Sequence, residues 1–229
     1  VSLAEAEPTH GYLASHFETL EQQHQSAALG MWTFLATEVM FFGGLFLGFS
    51  VYRFVDPEPF AIASRHLNVT LGTINTFVLL TSSLTMALVV RAGQTGDRKA
   101  QVRNLLLTMA LATLFLGIKA REYYEEFEHH LAPGASFSTA ALHLPEDAPE
   151  SLGQQAQLFF VFYFFMTGLH GFHMLIGIAV MAVLVVKAQR GQYTAEHYTQ
   201  LEMTGLYWHF VDLVWVFLFP LLYLVELHT

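Results

Sequence analysis

The sequence contains no cysteine, which excludes disulfide staples, thiolate metal sites and cysteine nucleophiles. Charge is nearly as scarce. Only 13% of the 229 residues are Asp, Glu, Lys or Arg, about half the share of an average soluble domain, so the composition argues against a water-soluble fold. Bases are the scarcer sign. With 10 Lys and Arg against 19 Asp and Glu, the formal charge is −9, and the chain lacks the basic patches that phosphate recognition needs. No nucleic-acid partner is expected. There is no internal repeat or low-complexity tract. The polar, acidic opening carries His10, His16 and His24 without a basic stretch ahead of an apolar one, and does not read as a signal peptide.

What the sequence has is apolar length. Hydrophobic residues make up 54% of it and the mean hydropathy is +0.43. A bilayer-crossing helix needs about 20 mostly apolar residues, so the gaps between charges serve as a ruler. Five spans result, at about 27–52, 68–91, 101–121, 157–187 and 203–226. The third is the weakest, because Arg103 and Lys119 stand close together and their long stems would have to reach the headgroups. The expected architecture is an all-α, polytopic membrane bundle of five helices over residues 27–229, preceded by a hydrophilic segment over 1–26. An odd number of spans puts the termini on opposite sides. Six of the ten bases fall in loops on the side of the N-terminus, which the positive-inside rule makes cytoplasmic. The longest connection, about His129–Gly153, then faces outward.

Ionisable residues inside a span are costly, and must face protein or water and find a partner. Glu38 stands near the middle of the first span. It reads either as a proton-active carboxyl or as a packing group, near Gly43, Gly44 and Gly48 where helices can approach closely. His170 and His173 in the fourth span, and His209 and Asp212 in the fifth, are each spaced i,i+3 and share a helical face. A metal or haem site is weighed and set aside. A di-iron bundle needs a Glu-x-x-His pair on each of two helices, and Glu126-x-x-His129 lies outside the core of a span. Inter-helix hydrogen bonding is the expected role of these groups, with no metal.

Three other clusters admit a plain and a sharper reading. Glu122-Tyr123-Tyr124-Glu125, with Glu126 and Glu128, is an interfacial anchor or a surface for a cation or partner. Lys187 and Arg190 are a topology anchor or hold a lipid phosphate. His10, His16 and His24, with Glu5, Glu7, Glu18 and Glu21, form a solvated tail or buffer protons near neutral pH.

Five blocks then bear on family. In order they are Gly30 to Phe42 (GMWTFLATEVMFF), Asn75 to Ser83 (NTFVLLTSS), Glu122 to Glu125 (EYYE), Thr167 to His173 (TGLHGFH) and Tyr207 to Trp215 (YWHFVDLVW). Together they closely resemble subunit III of the haem-copper respiratory oxidases, the cytochrome c oxidase and quinol oxidase family.

The resemblance implies a non-catalytic integral subunit of a bacterial inner (plasma) membrane complex in the aerobic electron transport chain. It would pack mainly against catalytic subunit I, with subunit II and small subunits nearby. Haem and copper would sit in those partners, and this chain would bind no cofactor beyond structural phospholipid. Its implied work is to keep proton uptake fast, to protect subunit I during oxygen reduction and proton pumping, and to hold lipid. Glu38 matches the family's buried, carbodiimide-reactive glutamate. His170, His173, Glu202, His209 and Asp212 match polar positions of its last two helices, and Lys187 and Arg190 match bases suited to lipid headgroups. The chain departs from the family's seven-span members in having five, as its shorter members do. Rival readings are an accessory subunit of a quinol oxidase or nitric oxide reductase-type complex, and an independent proton transporter using Glu38, His209 and Asp212.

Overall fold

The computed structural model describes residues 16–134, 137–142 and 150–224. The readings made for Glu5, Glu7 and His10, and part of the connection expected at about His129–Gly153, lie outside these. Among the described residues six α-helices follow one another: α1 (Leu20–Val55), α2 (Pro57–Ser64), α3 (Val69–Gln94), α4 (Arg98–Glu128), α5 (Glu150–Gln189) and α6 (Thr199–Tyr223), with a 3-10 turn at Thr139–Leu142. Five of them are long and apolar enough to cross a membrane, α2 being the exception. The protein is an all-α membrane bundle of five long helices.

Helix starts are written locally. Thr19 caps α1 by accepting from the Gln22 N–H, Asn68 caps α3 through Leu71, and Asp97 caps α4 through Ala100, each satisfying an orphan donor of the first turn. Between α3 and α4 the chain reverses at Gly96, whose φ of 68° suits glycine. The tight loop makes α3 and α4 an antiparallel hairpin. From there α3 packs on α6, α4 on α5 and α5 on α6, closing a four-helix ring. Helix α1 lies outside the ring against α5 and α6, and α2 folds back onto α5.

Several bounds differ from the expected spans. Helix α1 starts at Leu20 rather than 27, because the Thr19 cap and a Glu21–Gln25 side-chain contact carry it out of the apolar stretch. At 36 and 40 residues, α1 and α5 are about 54 and 60 Å long at about 1.5 Å per residue, well beyond the hydrocarbon. Helix α2 was not expected from its Pro-x-Pro sequence. Pro57 stands in its first turn, where proline is tolerated, and Phe60 and Ala63 are buried. Helix α4 runs on to Glu128, past the charges at Lys119 to Glu126.

The core of the bundle is aromatic. Trp208, Trp215, Tyr163, Phe49, Phe60, Phe115 and Phe159 are fully buried, and Trp215 stands edge-on to Phe115 at 4.8 Å between centroids. Gly177 admits Trp208, for a Cβ there would lie under 3 Å from the indole ring. The outside is apolar too. Trp32, Met40, Phe54, Phe77 and Phe217 are all more than half exposed, a surface that only lipid or other membrane chains solvate.

Candidate functional site

Glu38 stands midway along α1 and meets α5. Its Oε2 lies 3.2 Å from Nε2 of His173, and both side chains are largely buried. The other ring nitrogen of His173, Nδ1, lies 2.9 Å from the carbonyl of Leu169 one turn earlier. A carbonyl can only accept, so Nδ1 carries its hydrogen. The contact to Glu38 then needs one more proton, either on the carboxyl beside a neutral ring or on Nε2 facing a carboxylate. In either form the pair holds one exchangeable proton. Phe42 stands edge-on to the His173 ring, and Tyr207 of α6 donates to the His173 carbonyl at 2.9 Å, so three helices fix the histidine.

The other expected residues fall into separate places. His170, one turn before His173, is buried between Phe115 and Trp215, and neither of its nitrogens has a hydrogen-bond partner among the described residues. His209 meets the Ser83 hydroxyl of α3 at 2.7 Å. Asp212 is 3% exposed, and neither of its carboxyl oxygens has a hydrogen-bond partner among the described residues. Glu202, at the start of α6, faces His24 of α1 across 3.9 Å, while His24 Nδ1 reaches the Thr199 hydroxyl. This ties the first turns of α1 to those of α6.

Lys187 donates to the Gln200 side-chain oxygen at 2.9 Å, as does the Tyr193 hydroxyl. Burial pushes the Tyr193 phenol up to about 12, so it remains a donor at neutral pH. Lys187, Tyr193 and Gln200, with His24, Glu21 and Glu196, line a cleft of about 820 Å³. Arg190 is exposed at the end of α5 and does not line it. The two bases therefore do not converge. Among the described residues, no three His, Asp or Glu side chains are placed to hold a metal ion.

One buried cluster was missed. Lys119, read as a span boundary with its amine at the headgroups, is instead 7% exposed. Its Nζ donates to Glu122 Oε2 at 2.8 Å, to the Tyr163 hydroxyl at 3.0 Å and to the Tyr223 hydroxyl at 2.8 Å. Tyr223 in turn donates to Glu122 Oε1 at 2.6 Å. The acidic, aromatic stretch is split by this arrangement. Glu122 and Glu126 are buried, whereas Tyr124 is 63% exposed and Glu125 pairs outward with Arg121. The signal was present in the sequence, since Lys119, Glu122 and Glu126 share a face at i, i+3 and i+7.

Comparison with known proteins gives one consistent answer. The sequence model described as cytochrome c oxidase subunit III matches residues 10–142 and 146–226. The chain is 31% identical over 202 residues to cytochrome c oxidase subunit 3 of Thermostichus vulcanus, covering 86% of each chain. It is 31% identical over 227 residues to cytochrome c oxidase subunit 3 of Alkalihalophilus pseudofirmus, covering 97% of this chain and 98% of that one. To quinol oxidase subunit 3 of Bacillus subtilis it is 29% identical over 218 residues, covering 95% and 96%.

Proposed function

The chain belongs to the cytochrome c oxidase subunit III family, and from that premise we propose that it is the accessory, non-catalytic subunit III of a haem-copper terminal oxidase. It packs against catalytic subunit I in a bacterial inner membrane, keeps proton delivery to that subunit fast, and protects it during turnover. The observation that supports this role is the Glu38–His173 pair. A carboxyl and an imidazole 3.2 Å apart at membrane depth, with the second ring nitrogen committed to a carbonyl, hold a single proton as a net-neutral pair whichever of the two carries it.

In this reading the N-terminus is cytoplasmic. The His24–Glu202 contact and the cleft containing Lys187 then lie at the proton-supplying surface. Lys187 and Arg190 border lipid headgroups there, and haem and copper belong to the partner chains. A second reading, subunit III of a quinol oxidase, is favoured by the likeness to the Bacillus subtilis protein over nearly the full length of both chains. The two differ in the electron donor to the complex, not in the work of this chain.

The test is to strip this subunit from the purified oxidase and follow sustained oxygen consumption. The depleted enzyme should keep its haem spectrum and its initial activity at low pH, then lose activity within fewer turnovers. Equal lifetimes with and without the chain would remove the protective role.

A further inference from the structure

The groups that hold Lys119 are aromatic as well as polar. Its Nζ stands 4.8 Å from the ring centroid of Tyr163, 5.4 Å from those of Tyr123 and Trp215, and 5.5 Å from that of Tyr223. The rings also neighbour one another. Between centroids, Tyr163 lies 5.9 Å from Tyr123 and 6.3 Å from Tyr223, and Tyr223 lies 6.3 Å from Trp215. Phenols and indoles are the aromatic side chains that give up an electron most readily, and four stand here in succession. Trp215, Tyr163 and Tyr223 are buried. Tyr123 is partly exposed, between α4 and Phe164 of α5, and is the member of the row that reaches a surface.

An oxidised phenol is a strong acid, so its proton leaves with the electron. In an apolar interior that proton needs a base already in place. Tyr223 has one, since its hydroxyl donates to Glu122 Oε1 at 2.6 Å. The other oxygen of Glu122 takes a hydrogen bond from Lys119 at 2.8 Å, which fixes the carboxylate. Charge in the cluster suits the oxidised form. Lys119 is matched by Glu122, yet Glu126, one turn further along the same face, is 4% exposed with Oε2 unpartnered among the described residues. Loss of one electron leaves the cluster one unit more positive, and a Glu126 carboxylate is then its counter-charge. Lys119 sets the threshold. A cation against the rings makes electron loss harder, so strong oxidants alone charge the site and mild reductants refill it.

From this geometry we propose that Tyr223, connected through Tyr163 to Tyr123, is a redox-active tyrosine that takes up stray oxidising equivalents, with Glu122 as its proton acceptor. Such a site deepens the protective role proposed above and rests on that reading for its use. The oxidant is an oxygen-centred radical of the alkoxyl class, which lipid hydroperoxides yield. The step balances. At the surface the alkoxyl radical gains one electron from the row of rings and one proton from water, forming an alcohol and hydroxide. Tyr223 supplies the electron through Tyr163 and Tyr123, and its phenolic O–H bond breaks as the proton passes to Glu122 Oε1. The cluster is left with a neutral tyrosyl radical and a glutamic acid. A one-electron reductant of the thiol or quinol class returns the electron, and Glu122 returns the proton to the phenol oxygen.

Freeze-quenched electron paramagnetic resonance of the intact, purified complex tests this, with photogenerated tris(bipyridine)ruthenium(III) as the oxidant. The difference between the wild type and Tyr223→Phe, which keeps the ring and its packing, should contain a neutral tyrosyl signal. That signal should form more slowly in D2O, because a proton moves with the electron. Its yield should fall by about tenfold or more in the double variant Lys119→Met, Glu122→Gln, which lacks the base and leaves neither partner of the ion pair behind. Tyr163→Phe, which breaks the row, should lower it likewise. A difference spectrum without a tyrosyl signal, equal rates in H2O and D2O, or an undiminished signal in the double variant or in Tyr163→Phe overturns the inference. The haem spectrum of the same preparation is read alongside. A chain that purifies without a haem-bearing partner defeats the subunit reading, and the radical signal still decides the redox assignment.

Discussion

The amine of Lys119 on α4 lies 2.8 Å from the Tyr223 hydroxyl in the last turn of α6. Through Glu122, which takes one hydrogen bond from each, that contact joins two helices deep in the ring. A lysine and a carboxylate this far from water are stable only as a satisfied group. Lys119→Met should therefore destabilise the chain by about 3–5 kcal/mol, the cost of leaving a buried charge unpaired. The double variant Lys119→Met, Glu122→Gln should recover a large part of the loss. Unfolding midpoints in mixed detergent micelles check both, and a single variant as stable as the wild type would contradict the assignment.

Packing of α5 on α6 depends on Gly177 lying against Trp208, whose indole N–H donates to Ser82 at 3.1 Å. The indole is pinned on one side and has no room on the other. Gly177→Ala should cost about 1–3 kcal/mol, as overpacking does. It should also change the tryptophan emission of the folded protein, which is the measurement to make.

How far the sequence revealed this arrangement differs between fold and site. Long apolar helices were readable because lipid leaves little choice. Every backbone group must be satisfied within the helix, and the charges retreat to the ends. Helix α2 was not readable, since its prolines look like loop signals until Phe60 and Ala63 are seen buried against α5. Ionisable groups inside the spans were legible in the sequence, but their partners were not. His173 was grouped with His170 by local spacing, whereas the structure pairs it with Glu38, 135 residues away, and encloses His170 between two rings. Lys119 was misjudged because a long basic side chain near a span end can reach the surface. Three groups on α4, α5 and α6, far apart in sequence, hold it inside instead.

For the Glu38–His173 pair, Glu38→Gln should preserve assembly and lower turnover only modestly, because the amide keeps the shape and the contact to Nε2. It should abolish labelling of this chain by a hydrophobic carbodiimide, read by mass spectrometry of the isolated subunit. Persistent labelling would place the reactive carboxyl elsewhere. Complete loss of oxygen reduction would contradict an accessory role.

At the α5–α6 turn, Lys187→Ala with Arg190→Ala removes the two bases beside the cleft. Phospholipid co-purifying with the complex should fall, with Lys187→Ala alone producing most of the effect because only Lys187 lines the cleft. Unchanged lipid content, by phosphorus assay, would remove the headgroup role and leave the two bases as topology anchors.

The most direct measurement of the central claim is the composition of the complex that carries this chain. Extraction from its membrane in mild detergent, followed by affinity capture of the chain, should yield a haem-bearing catalytic subunit in equal amount. The optical spectrum should be that of a haem-copper oxidase, with oxygen-consuming activity. Recovery of the chain alone, or with partners that carry no haem, would contradict the account.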